Sequence, residues 1–261
     1  MRGGTRRGIR SFRPVAFREP DNLQTGLPVF FGVAATVFIS EIFESIQGEG
    51  PFAETPSLFI RTSGCNLRCS FCDTPYTSWD PEGQEQPLES LGETVRNSSC
   101  QHVVLTGGEP MLAPRLAELS DICRAADKTI TIETAGTVDR SLECDLMAIS
   151  PKMKNSVPTD NVWAERHEQT RHQPAVIESL IARYNCILKF VIDSSHDVRE
   201  VVEYLQQFPQ VRKDQVWLMP QARSADELRS KSATVQAACS EHGFKYSSRL
   251  HIERYGNARG V

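Results

Sequence analysis

The sequence predicts an α/β fold, an open and mostly parallel sheet with helices in its crossovers. Three observations carry that expectation. Continuous apolar and β-branched runs, such as Cys186 to Ile192, read as strands buried on both faces. Helix-length patterns separate those runs. The chemically unusual residues collect just after the runs, where the loops of a parallel sheet share one crevice.

In chain order the expected strands are Val37–Ser45, Ser57–Ser63, His102–Leu105, Thr129–Glu133, Leu146–Ile149, Cys186–Ile192 and Val216–Met219. The expected helices are Leu88–Asn97, Pro114–Ala126, Pro174–Tyr184, Asp197–Phe208 and Ser224–Glu241. The helix at Asp197 follows Ser194-Ser195-His196, which is capping chemistry. This alternation runs over roughly 200 residues and implies right-handed crossovers. Six strands after the first are too few for an eight-fold barrel. An open or partial barrel is therefore expected. There is no internal repeat and no low-complexity segment beyond an Arg-Gly start.

A chain of 261 residues, 39% hydrophobic and 24% charged, fits one soluble globular domain with a core that needs no staples. Six of its 29 basic residues lie in residues 1–18, where no acidic residue occurs; the remainder carries 23 basic against 33 acidic side chains. So acidic a body argues against binding nucleic acid through phosphate contacts. Residues 1–34 read as a disordered Arg/Gly-rich extension, and residues 35–261 as the domain. The apolar run Val29–Ile39 is too short to span a bilayer and enters the first strand without a separate cleavage region. The extension is expected to be dispensable. Cys100, Cys123, Cys144, Cys186 and Cys239 are dispersed and read as small buried hydrophobes in a reducing, cytoplasmic compartment.

The remaining three cysteines are different. Cys65, Cys69 and Cys72 stand at C-x3-C-x2-C spacing within eight residues. A closed zinc site or a fully ligated iron–sulfur cluster calls for four protein ligands. No fourth Cys or His is nearby: the next Cys is Cys100 and the first His is His102. Three ligands on a four-iron cluster leave one iron open for chemistry. The competing reading is a zinc-binding interaction module or three unrelated thiols.

Further motifs follow the strands. Thr106-Gly107-Gly108-Glu109-Pro110 lets backbone approach a ligand, and Glu109 with the local carbonyls can accept from an ammonium. Ser150-Pro151-Lys152 offers a hydroxyl and a cation. Glu133 ends an apolar strand, and Pro220-Gln221-Ala222 follows another.

The cysteine triplet, with Phe71 just before its last member, resembles the signature of the radical S-adenosylmethionine (SAM) enzymes. Glu44-Ser45-Ile46-Gln47-Gly48-Glu49-Gly50, then Arg61, then Cys72-Asp73-Thr74-Pro75-Tyr76, resembles the 7-carboxy-7-deazaguanine synthase family within it. The likeness runs from about Ile39 to the C-terminal segment Tyr255-Gly256-Asn257.

The resemblance implies a modified, shortened radical SAM partial (β/α) barrel. It implies a [4Fe-4S] cluster on Cys65, Cys69 and Cys72, whose open iron chelates SAM. One-electron cleavage of SAM leaves a 5′-deoxyadenosyl radical. That radical takes hydrogen from C6 of 6-carboxy-5,6,7,8-tetrahydropterin, the ring contracts, ammonia leaves, and 7-carboxy-7-deazaguanine forms, a step of queuosine biosynthesis and so of a tRNA modification pathway. SAM would lie against Phe71, Cys72, Asp73, Gly108, Ser150, Pro151, Lys152 and Gln221. The pterin would meet Ile46, Gln47, Gly48, Arg61 and Thr106. Mg2+ would take the Thr74 hydroxyl. A flavodoxin or ferredoxin as electron donor and a homodimer are further implications, with no nucleic acid or membrane partner.

Arg61 suits the pterin carboxylate on physical grounds too, since its guanidinium is a rigid donor fork. A glycyl-radical activase-like enzyme acting on a protein remains as a second reading of the cluster. It has no use for Ser45–Gly50, Arg61 and Thr74 together. Residues Asn155–Gln173 read as a polar connector, with His167 and His172 as loop residues.

Overall fold

The computed structural model describes residues 35–159 and 162–261. The expectations for residues 1–34 lie outside the described residues. The nine strands of one sheet are β1 (Thr36–Ile46), β2 (Pro56–Thr62), β3 (Gln84–Pro87), β4 (His102–Gly107), β5 (Thr129–Thr134), β6 (Leu146–Ile149), β7 (Cys186–Ile192), β8 (Val216–Pro220) and β9 (Lys245–Tyr246). Their order is β3-β1-β2-β4-β5-β6-β7-β8-β9. β3, β1 and β2 pair antiparallel, and every pair from β2 to β9 is parallel. The sheet is a partial barrel and does not close.

The helices are α1 (Leu88–Asn97), α2 (Leu116–Ala125), α3 (Ala164–Arg171), α4 (Pro174–Arg183), α5 (Ser195–Leu205), α6 (Ala225–His242) and α7 (Leu250–Tyr255). α5 starts at Ser195 because Ser194 and Asp197 form a reciprocal capping box there. On α6 the Ser224 hydroxyl caps the Glu227 N–H at 3.2 Å.

One face of each central strand feeds the main core. On β7, Cys186, Leu188, Phe190 and Ile192 pack with the helix residues Leu119, Ile177 and Val201. The intervening Lys189 and Val191 point to the opposite, concave face. An uninterrupted apolar pattern thus serves a helix-covered face and a site face at once.

β1 shows how the site face is made. Val37 and Ile39 are buried in the core. The register then slips between Ile39 and Glu41. Beyond this bulge Ile42 packs against the core, while Glu41 and Phe43 line the concave face. Strict period-two alternation would have put Glu41 with Val37 and Ile39. The extra residue re-aims it.

Four elements depart from expectation. β3 is a polar edge strand and β9 has two residues, so neither carries an apolar pattern. α7 has six residues, too few to show a helical period. The polar connector expected over Asn155–Gln173 contains α3, and His167 is a buried helical residue rather than a loop residue. α3 lacks an apolar stripe, burying only His167 and Arg171. It is held by polar contacts, which periodicity does not register. His172 ends it, its ring 5.4 Å from that of Tyr204 in an edge contact.

Candidate active site

A cavity of about 480 Å³ opens on the concave face at the carboxyl ends of the strands. Cys65, Cys69 and Cys72 share one wall of it with Phe71 and Leu67. Their loop is fixed from several sides. Gly64 N donates to Thr77 O at 2.9 Å, and Ser70 N to Ser156 O at 2.9 Å. Arg68 N donates to His167 Nδ1 at 3.0 Å. Burial lowers the His167 pKa to about 4, helped by the Arg171 charge. The ring is therefore neutral, accepts at Nδ1 and donates from Nε2 to Ser156 Oγ at 3.0 Å, while that hydroxyl donates to Met153 O. α3 thus braces the thiol loop.

Gly107-Gly108 also serves the loop. A Cβ on Gly108 would stand 2.6 Å from Thr77 O and 2.8 Å from the Cys65 Cβ, and closer still to Gly64 O. The glycine exists for this packing as well as for any ligand on its open side. Glu109 is turned away from the cavity. Its carboxylate accepts from Thr134 Oγ1 at 2.7 Å, Ala135 N at 2.7 Å and Met111 N at 3.1 Å. Three of its acceptor positions thus serve the fold. Burial raises its pKa, and those hydrogen bonds oppose the rise.

The cavity is also lined by an ionic cluster. Glu49 pairs with Lys189 and, at 3.2 Å, with Arg249 Nε. Arg249 also pairs with Asp73, which follows the last thiol, and donates to Ala222 O. Gln47 Nε2 donates to Glu133 Oε1 at 3.1 Å, and Lys189 Nζ lies 4.0 Å from that oxygen. Burial alone would raise the Glu49 pKa, but Lys189 and Arg249 hold it far below the carboxylate range. Asp73 is likewise lowered: burial works against it and Arg249 prevails. Burial pulls His251 down although Glu49 is 3.8 Å from its Nε2. Gly48 lies so close to His251 that any side chain there would overlap the imidazole.

At the rim, Arg61 Nε donates to Glu41 Oε1 at 2.6 Å, and its guanidinium lies 5.6 Å from the Phe43 ring centre. Tyr76 Oη donates to the same oxygen at 2.8 Å. The C-terminal residues Asn257–Val261 fold across this edge. Arg259 stacks over Tyr76 at 4.0 Å and pairs with Glu82 at 2.8 Å.

The structure therefore brings Ile46, Gln47, Gly48, Arg61, Thr106, Phe71, Asp73, Thr74, Gly108, Ser150 and Lys152 around the cavity with the thiols. Pro151 and Gln221 do not line it. Pro151 is buried, and the Gln221 side chain accepts from Lys231 Nζ at 2.7 Å. Sequence reasoning missed Glu41, Lys189, Arg249, His251 and Arg259.

The radical SAM superfamily model matches residues 59–151. A 7-carboxy-7-deazaguanine synthase of Rhodopirellula baltica is 43% identical over 231 residues, covering 87% of this chain and 90% of the relative. One from Halobacterium salinarum is 38% identical, covering 84% and 91%. This chain belongs to the 7-carboxy-7-deazaguanine synthase family. The crystal structure of QueE from Escherichia coli superposes with a TM-score of 0.62 at 21% identity, over 81% of this chain and 93% of that one, a likeness of fold. Membership of this family displaces both competing classes, the zinc-binding module and the protein-directed activase.

Radical SAM membership implies a [4Fe-4S] cluster and SAM, and the residues present fit them. Leu67 N points at Cys65 Sγ at 3.4 Å, and Ser78 Oγ is 3.3 Å from Cys72 Sγ. Such donors stabilise thiolate ligands. Burial pushes Cys65 up to about 12 and Cys69 up to about 11, and neighbouring thiols contribute to both shifts. Cys65 and Cys69 are therefore protonated as free thiols, and metal binding releases those two protons. Among the described residues no group of three or more His, Cys, Asp and Glu, the three thiols included, is set closely enough to hold a metal ion without rearrangement.

Proposed function

We propose that this chain catalyses the ring contraction of 6-carboxy-5,6,7,8-tetrahydropterin to 7-carboxy-7-deazaguanine with release of ammonia. The observation that carries the reading is one cavity lined both by a three-thiol loop and by a buried ionic cluster in a chain of this family. Cys65, Cys69 and Cys72 would hold the cluster. SAM would lie against Phe71, Cys72, Asp73, Gly108, Ser150 and Lys152. Once bound, cluster and SAM supply the carbon radical that removes a hydrogen atom from the substrate.

The chain's own residues would orient the pterin and exclude other hydrogen donors. Arg61 grips the carboxylate through its terminal nitrogens, its Nε being held by Glu41. Ile46, Gln47, Gly48 and Thr106 meet the ring, with Glu49 and Glu133 as acceptors for its amino and ring N–H groups. Mg2+ would join the Thr74 hydroxyl to substrate oxygens and water, the usual arrangement for this ion. Asp73 is committed to Arg249, so it would act on the metal only through water.

The electron donor would be a flavodoxin or ferredoxin, the assembly a homodimer, and the compartment the cytoplasm. Eight free cysteines support a reducing setting. No helix among the described residues is long and apolar enough to cross a membrane. The test is an anaerobic assay of the reconstituted protein with the carboxy-tetrahydropterin, SAM, reductant and Mg2+. Formation of 7-carboxy-7-deazaguanine is expected. Reductive cleavage of SAM with no pterin-derived product would overturn the assignment.

A further inference from the structure

The backbone carbonyls of all three thiol residues are capped by side chains. Cys65 O accepts from Arg68 Nη1 at 2.8 Å, and the same nitrogen reaches Leu67 O at 2.8 Å. Cys69 O accepts from Trp79 Nε1 at 3.2 Å. Cys72 O accepts from Arg223 Nη2 at 3.0 Å, which also reaches Ser70 O at 3.1 Å. Two of the three caps are therefore cationic.

Among the described residues neither guanidinium meets a carboxylate. Arg171 and Arg249 each pair with carboxylates. The Arg68 and Arg223 guanidinium groups pair with none among the described residues, and their contacts are to carbonyl oxygens and an aromatic face. Arg68 lies over the Trp163 ring at 4.5 Å, with its Nε buried and without a hydrogen-bond partner. The ring holds the charge in place, and burial limits its screening by water.

We propose that Arg68 and Arg223 are electrostatic positioning residues that raise the reduction potential of the cluster held by Cys65, Cys69 and Cys72. The proposal rests on the reading that these thiols hold an iron–sulfur cluster. Reduction adds an electron to a centre already made anionic by three thiolates. A cation on a ligand carbonyl stabilises the reduced form more than the oxidised one, and local charge and hydrogen bonding are among the established determinants of such potentials. Arg68 also fixes the loop, because His167 holds its backbone. Charge and geometry must be separated by measurement.

The experiment is a potentiometric titration of the reconstituted protein followed by electron paramagnetic resonance, without SAM or substrate, alongside iron and sulfide counts. Arg68→Met, Arg68→Lys and Arg223→Met are compared with wild type. At the wild-type midpoint, the reduced-to-oxidised ratio of Arg68→Met should fall about tenfold, which is about 59 mV for one electron. Arg68→Lys should retain most of the wild-type ratio. Arg223 is exposed, so Arg223→Met should lose about threefold, and less at high salt. Arg223 lies outside the thiol loop, so its variant decides the matter if Arg68→Met does not load. Fully loaded Met variants with the wild-type midpoint would overturn the proposal. So would lost iron with an unmoved midpoint, which would make these residues braces alone. A wild-type protein that takes up no iron would overturn the cluster reading and this proposal with it.

Discussion

Replacing Arg249 with Met should uncouple the loop after Gln47 from the loop after Cys72. Arg249 is 5% exposed and reaches Glu49, Asp73 and Ala222 O together. Removing one partner of a buried ion pair typically costs about 3–5 kcal/mol. Here the cost is smaller. Glu49 keeps Lys189, and Asp73 is 38% exposed, so water takes over part of its solvation. The Ala222 carbonyl loses its donor, adding about 1 kcal/mol. A net loss of about 2–3 kcal/mol follows, or roughly 4–12 °C in Tm for a domain of this size. Both carboxylates have pKa values held below their unfolded ones, so their stabilisation is present above the ordinary carboxylate range and is lost as pH falls through the folded values. The deficit of Arg249→Met should therefore be full at neutral pH and shrink in acid. The assay is denaturant unfolding of the metal-free protein at several pH values, with Asp73→Asn completing a double-mutant cycle. Strict additivity of the two changes, or a deficit independent of pH, would refute the coupling.

Other outcomes follow from single contacts. His167 has its pKa lowered to about 4, so it should contribute stability above its unfolded pKa of about 6.5 that is lost as pH falls toward 4; His167→Asn should flatten that part of the unfolding profile. Gly108→Ala should cost about 1–3 kcal/mol and impair iron loading, because its neighbours are mostly backbone and cannot yield; an unchanged Tm would contradict the packing. Thr74→Val should move the Mg2+ requirement for product formation to higher concentration while Thr74→Ser does not, and three superimposable Mg2+ titrations would place the metal elsewhere. Arg61→Lys should raise the KM for the pterin by about tenfold, equivalent to about 1.4 kcal/mol, with SAM affinity unchanged; a fall in SAM affinity alone would reassign Arg61.

The parallel strands were legible because burial on both faces leaves nearly uninterrupted apolar runs, and β6 and β7 have the expected bounds. The thiol loop was legible because its ligands lie within eight residues. The ionic cluster was not, since its members meet only through tertiary contact. Arg249 and His251 flank Leu250 at the start of α7, whose six residues give no sign that Leu250 N bonds Gly48 O. Lys189 did leave a trace: a lone cation inside an apolar strand needs a buried partner. Glu41 was hidden by the bulge in β1, which no periodic pattern reveals. Glu109 shows the converse, a motif residue whose acceptors serve the fold.

The segment Asn257–Val261 bears on how this protein is best handled. These residues form part of the cavity rim, and Arg259 pins them to Tyr76 and Glu82. A purification tag or fusion partner appended after Val261 would emerge beside the opening through which ligands pass. It would tug on Arg259 and, through Glu41, on the residue proposed to hold the substrate carboxylate. Handles and labels belong on the exposed side of α6, where Asp226 and Arg229 face solvent.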